Sequence, residues 1–316
     1  MSMLKQSPVP ADAPPQDDER ETIVRWMRNA SVEMTVHDVP YLPACRSLLG
    51  ESASVYVSYL PKQTWPEMQR ALTAVRAAGF EPIPHVPARQ LESRTQLEAV
   101  LRGFADDAAV SRILLIAGDR PNPRGPFRST VDVLRTGLLA AHGIQDVVIA
   151  GHPEGHPTIA EPELRASEHA RIDAAQAAGL NVTFLTQFCF TAAPIIDWVR
   201  QLRANGIQAP VVAGLAGPAR LKTLLKYATI CGVGPSLRTL TTRAGILGQL
   251  TGERGPETVI RALAHAAFEG TADLAGVHLF SFGGLAHTCE WINAAARREI
   301  RLTNGGFEAV PPSAAS

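Results

Sequence analysis

The sequence predicts an α/β fold, a (β/α)8 TIM barrel, on three observations. Short β-rich runs alternate with longer helical ones, as in proteins built on a parallel sheet. Roughly eight such units can be counted, enough to close a barrel. The β-rich runs are almost continuously apolar, as parallel strands are when both faces are covered. The chain has 316 residues, of which 46% are hydrophobic. That suffices for a large core, a barrel being typically about 250 residues. A doubly wound open sheet is the alternative reading of the same alternation, and length alone also admits two domains.

The first strand is expected over Ser31–Val36 and the second over Ala53–Ser58. A helix follows, with Met68, Leu72 and Val75 spaced onto one face and Gly79 as its stop signal. Strand three, Pro82–His85, is rich in proline for a strand. Strand four, Arg112–Ala117, is the clearest and runs into Gly118-Asp119. Strand five is Asp146–Ala150, and its helix runs from about Glu161 to Ala178 before Gly179. Strands six, seven and eight are Val182–Thr186, Pro210–Ala213 and Gly276–Phe280. Between the last two, extra helix is expected over about Lys222 to Phe268, an insertion that a barrel tolerates.

Thirty basic residues balance thirty acidic ones, so no charge excess points to nucleic acid or an anionic membrane as partner. Cys45, Cys189, Cys231 and Cys289 are scattered and form no CxxC. This speaks against a disulfide framework or a cysteine zinc site and fits a reducing cytoplasm. The N-terminus carries no signal sequence, and no run is apolar for long enough to span a bilayer. Residues 1–20, rich in Pro, Asp and Gln, and the tail 307–316 are expected to be poorly ordered, leaving 21–306 as the catalytic barrel. For the N-terminus, an arm that packs on a partner is the alternative. The sequence leaves a homo-oligomer open.

In such a barrel the chemistry sits on the loops that follow the strands. Glu33 is a carboxylate inside an apolar strand, His85 closes strand three, and Asp119 follows Gly118 after strand four. His152, Glu154 and His156 follow strand five, and Gln187 follows strand six. Each has a plainer reading. A lone strand Glu faces solvent about as often, Gly-Asp is a common turn, and a histidine among prolines is more often packed than catalytic. His152-x-Glu154-x-His156 has metal-ligand chemistry, while Pro153 and Pro157 point instead to a rigid loop. Gly214-x-x-Gly217 and Gly283-Gly284 would let a backbone approach a phosphate, but neither fits the GxGxxG setting. Neither a Walker A motif nor a GxSxG elbow is present, which argues against a P-loop nucleotidase and an ordinary serine hydrolase.

Taken together, several segments resemble the methylenetetrahydrofolate reductase family of the short bacterial type. They are Ser31-Val-Glu33, Pro84-His85, Ile113-Leu-Leu-Ile-Ala-Gly-Asp119, Gly151-His-Pro-Glu-Gly-His-Pro157 and Ala178-Gly-Leu-Asn-Val-Thr-Phe-Leu-Thr-Gln-Phe-Cys-Phe190, with Pro210-Val-Val-Ala-Gly-Leu215. The resemblance runs in order from about Ala30 to Trp291, and it is the combination of segments that makes it specific. It implies a (β/α)8 barrel that carries FAD without a Rossmann motif. It also implies NAD(P)H-dependent interconversion of 5,10-methylenetetrahydrofolate and 5-methyltetrahydrofolate, a small-molecule folate substrate. By this resemblance Glu33 is the general acid that protonates the leaving folate nitrogen, kept protonated by desolvation. Asp119 stabilises the iminium cation, and Gln187 and Phe190 contact the folate. Ser58, His85, Gly118, Asp119, Phe127, Ala150, His152 and His156 line the cofactor.

The departures lie on the flavin side. Ala117 stands where the family has Arg before Gly-Asp, and the positions that grip the FAD diphosphate and adenosine align with His169, Ile172, Ala175 and Gln176. Each lost charge-assisted bond is worth about 1.5–3 kcal/mol, and Arg165 and Arg171 are the nearby candidates to compensate. The family's Tyr-Thr-Leu-Asn-Arg segment reads Phe280-Ser-Phe-Gly-Gly284, which removes an Arg near the folate. Three readings follow: a reductase with an altered FAD grip, a reductase that takes hydride directly from NAD(P)H, and a folate-binding barrel without reductase activity.

Overall fold

The computed structural model describes residues 16–231, 233, 253–297 and 299–310. Its centre is a closed barrel of eight parallel strands: β1 (Ser31–Met34), β2 (Ser54–Val57), β3 (Glu81–Pro87), β4 (Arg112–Ile116), β5 (Asp146–Gly151), β6 (Asn181–Thr186), β7 (Val211–Ala216) and β8 (Gly276–Phe280). Each strand pairs with its neighbours in sequence, and β1 closes the ring against β8. The (β/α)8 expectation therefore holds, and the open sheet does not.

Local chemistry sets the element ends. β1 stops at Met34 rather than Val36, because Thr35 caps a 3-10 turn over Val36–Tyr41 in a reciprocal box with Asp38. The helix α2 (Trp65–Ala77) opens on the same device, Thr64 with Glu67, and buries Met68, Leu72 and Val75. β3 tolerates its prolines because the ladder to β4 begins only at His85↔Leu114, beyond Pro82 and Pro84, where a missing N–H would interrupt it. Further long helices around the barrel are α3 (Arg94–Ala108), α4 (Glu161–Ala177), α5 (Ala193–Ala204), α6 (Leu221–Ile230), α7 (Glu257–Phe268) and α8 (Leu285–Arg297). The extra helix expected between β7 and β8 is seen as α6 and α7; residues 234–252 lie outside the described residues.

Two segments beyond the expected barrel boundaries 21–306 carry secondary structure. Residues 16–20 belong to a helix, α1 (Gln16–Arg28), that packs on this same chain through Ile23, Trp26 and Met27. Glu19, buried, holds it to α7 by pairing with Arg261 Nε at 3.1 Å and His265 Nδ1 at 2.8 Å. The tail is ordered at its start, since β10 (Phe307–Val310) pairs antiparallel with β9 (Glu299–Leu302) and buries Phe307. Each is held by a few apolar contacts rather than by an apolar run, so neither stands out in the sequence. The first 15 residues and residues 311–316 lie outside the described residues. Among the described residues no helix is long and apolar enough to cross a membrane.

Candidate active site

Alternate residues of a barrel strand point inward. Ser31 and Glu33 on β1, Tyr56 on β2 and Ser58 just after it, His85 on β3, and His278 and Phe280 on β8 share this parity. The closing seam sets Ser31 opposite His278 and Glu33 opposite Phe280. Three side chains, from β3, β8 and the residue just after β2, thus meet at the Glu33 carboxylate of β1. Ser58 donates its hydroxyl to Glu33 Oε1 at 2.6 Å. Glu33 Oε2 lies 3.3 Å from His85 Nε2 and 3.7 Å from His278 Nε2. None of these three atoms has an aligned hydrogen-bond partner, so three buried polar atoms face one another. Ser31 Oγ lies 2.9 Å from His278 Nδ1, and the Tyr56 ring packs edge-on to His278 at 4.6 Å.

Glu33 is 17% exposed at its side chain, a partly covered group at the mouth. Burial pushes its carboxyl up, but His85 and His278 beside it outweigh burial and hold it well below the usual carboxylate range. This reverses the expectation that desolvation alone keeps Glu33 protonated: the two imidazoles favour the ionised form. Burial likewise pushes the fully enclosed His278 down, against the pull of Glu33. Ser58 and His85, expected on the cofactor side, touch the carboxylate itself. His278 was not singled out from sequence, although a histidine inside an apolar strand is the same cue that marked Glu33.

Asp119 is exposed, on the loop after β4. Gly118 before it takes φ +86°, and a Cβ there would lie 3.0 Å from Pro87 Cβ, so this turn requires glycine. The Cys231 thiol is pushed up to about 11 by burial and by the charges of Glu33 and Asp119, so both carboxylates act on one region of the mouth. Gln187 reaches it too, donating Nε2–H to the Cys231 carbonyl at 2.9 Å. Gln187, Cys231, His152, Glu154 and His156 line one small cleft. Phe190 packs with Phe188, which also meets Phe280 and Phe282, and Phe282 stacks on Tyr227 at 4.2 Å. The Phe280–Gly284 segment therefore puts aromatic surface beside Phe188 and Tyr227.

The expected cofactor positions divide. His156 accepts at Nδ1 from the Thr158 N–H and sits edge-on to His152. Phe127 is part of the hydrophobic core rather than a mouth residue. The Ala150 carbonyl accepts Arg171 Nη1–H at 2.7 Å. Arg171 is 8% exposed and also donates to the Ser167 carbonyl. Arg165 pairs with Glu168, which is itself 3% exposed and bonded by Trp198 Nε1, and donates to the His152 carbonyl. Both arginines are therefore built into the α4 packing and do not take over a diphosphate. Ile172 and Ala175 are buried against the core. These residues do not fit the diphosphate arm of FAD.

Two of the glycines read as phosphate approaches, Gly214 and Gly283, are closely packed against backbone. A Cβ on Gly214 would lie 2.1 Å from the Thr186 carbonyl oxygen, and one on Gly283 2.1 Å from that of Pro218. Among the described residues, no group of three or more His, Cys, Asp or Glu side chains is placed to hold a metal ion.

His152 supplies a pH test. Burial, then Arg171, His156 and Arg165, push its imidazole down to about 4. An unfolded chain takes up this proton near pH 6.5 and the folded one does not. The stability it contributes is complete above about pH 6.5 and is lost as pH falls towards 4. Thermal midpoints should therefore fall less between pH 7 and 4 in His152→Gln than in the native protein, and equal slopes would refute this.

The family model of methylenetetrahydrofolate reductase matches residues 58–236, more than half of the chain. The matched span holds Ser58, His85, Asp119 and Gln187, with Glu33 and His278 on either side of it. Among solved structures, the chain is similar to a dihydropteroate synthase from Thermus thermophilus, at 14% identity and a TM-score of 0.45, covering 85% of this chain and 94% of that one.

Proposed function

The chain belongs to the methylenetetrahydrofolate reductase family, and on that premise we propose that it reduces 5,10-methylenetetrahydrofolate to 5-methyltetrahydrofolate with NAD(P)H as electron source. The observation that carries this reading is Glu33 at the barrel mouth, held by Ser58 and faced by two imidazoles. A proton delivered through Glu33 to the leaving nitrogen opens the five-membered ring to an iminium cation. A hydride then adds to the iminium carbon and leaves an N-methyl group. Asp119 supplies the negative charge that favours the cation. Gln187, steadied by the Cys231 carbonyl, orients the pterin, and Phe190 with its aromatic neighbours offers the folate an apolar face.

A second reading, in which nicotinamide gives its hydride to the iminium with no flavin between, is favoured by the internal partners of Arg165 and Arg171. One experiment tests both readings. Purified protein is expected to consume NAD(P)H only when methylenetetrahydrofolate is present, to show no flavin absorbance, and to gain no rate from added FAD. A yellow preparation whose rate depends on FAD overturns the second reading. Folate binding without NAD(P)H consumption, with or without FAD, overturns the first.

A further inference from the structure

We propose that the proton delivered to the substrate is stored in a buried cluster of Glu33, His85 and His278, with His85 as its reservoir and His278 as a positioning residue locked by Ser31. This deepens the reductase reading above and rests on it. The geometry carries it. Glu33 Oε2, His85 Nε2 and His278 Nε2 are all enclosed and lack aligned partners, yet the two imidazole nitrogens lie 3.3 and 3.7 Å from the shared carboxylate oxygen. Polar atoms buried in this way are costly unless a proton is shared among them. No metal-holding group is present among the described residues to serve instead.

The three members have different work because their surroundings differ. His278 is fully enclosed, and burial disfavours its charged form. Ser31 Oγ and His278 Nδ1 are 2.9 Å apart; we assign the hydroxyl as the donor, which leaves the ring hydrogen on Nε2, the atom that faces Glu33. His278 therefore fixes the carboxylate without supplying the proton. His85 sits closer to Oε2 and nearer the mouth. The carboxylate is held in its ionised form by these neighbours, so it has no proton of its own to give at neutral pH. The proton moves from His85 Nε2 to Glu33, and from Glu33 to the leaving nitrogen, whose bond to the methylene carbon breaks. The electron pair stays on that nitrogen. His85 is left neutral and is reprotonated from solvent after turnover. Among the described residues, Tyr56 packs against both imidazoles, and Cys231 lies close enough to feel the Glu33 charge.

The test is the pH dependence of kcat for the native enzyme and for His85→Gln, His278→Asn and Ser31→Ala, each checked by circular dichroism. The native rate should fall on the alkaline side along one limb. In His85→Gln that limb should move to lower pH, giving about a 10- to 100-fold loss near pH 7.5 that is recovered in acid. His278→Asn and Ser31→Ala should lower kcat with the limb unmoved. A His85→Gln limb that superposes on the native one overturns the proposal. A substrate-free measurement covers the case in which His85→Gln does not fold or the reductase reading fails. The carbon-13 signal of the Glu33 carboxyl should stay ionised from pH 8 to well below the ordinary carboxylate range in native protein, and should titrate higher in His278→Asn. Native protein whose Glu33 titrates in the ordinary range overturns the cluster. Native protein without turnover, but with the expected carboxyl signal, overturns the reductase reading instead.

Discussion

Replacing Glu33 by Gln should lower turnover of methylenetetrahydrofolate by about 10²–10⁴-fold, the range spanned by a lost general acid, while leaving the barrel folded. Gln keeps an oxygen at the Oε1 position, where the Ser58 hydroxyl donates at 2.6 Å, but cannot relay a proton. Stability should change in a characteristic way. Because His85 and His278 hold the Glu33 carboxyl below its ordinary range, its contribution is present above the unfolded carboxyl pKa of about 4.3. It is lost as pH falls through the depressed folded value. Glu33→Gln should therefore be somewhat less stable than the native protein at pH 7, with the gap closing in acid. Steady-state kinetics and thermal melts at several pH values check both parts; unchanged kcat would remove Glu33 from the chemistry.

Gly214→Ala should be the most damaging single-methyl change in the barrel. The added carbon would lie 2.1 Å from the Thr186 carbonyl oxygen and 2.9 Å from Phe280 Cε2. Gly214 also donates its N–H to Thr186 Oγ1 at 2.8 Å. The crowded atoms are backbone on one side and a packed ring on the other, so no flexible side chain can move aside. Overpacking of this kind costs about 1–3 kcal/mol and occasionally more, and here the upper end is expected, with a thermal midpoint lower by roughly 4–5 °C. A phosphate-approach role predicts the opposite pattern: weakened anion binding at unchanged stability. An unaltered midpoint would therefore refute the packing account.

How far the site could be read in advance depended on the range of the interactions. Glu33, His85, Asp119 and Gln187 were each visible as polar residues at the ends of apolar strands, because strand parity and barrel topology act through local sequence. Their mutual contacts were not. The low Glu33 carboxyl required two imidazoles whose positions follow from β3 two strands away and from β8 at the far end of the chain. Arg165 and Arg171 looked available for a diphosphate because a sequence lists cations but not their partners. Glu168, Ser167 and two carbonyls take them up only once α4 lies on β5. Phe127, aligned with a cofactor position, went to the core for the same reason.

The sequence by itself determined the alternation of strands and helices, the approximate places of the eight strands, and the carboxylate inside the first of them. Hydrophobic runs and their helical spacers are local signals that survive without knowledge of neighbours. Only the tertiary structure decided what that carboxylate is. Closing the barrel brings His85 from β3 and, across the β1–β8 seam, His278 to Glu33, and these two imidazoles outweigh its burial and favour the ionised carboxylate.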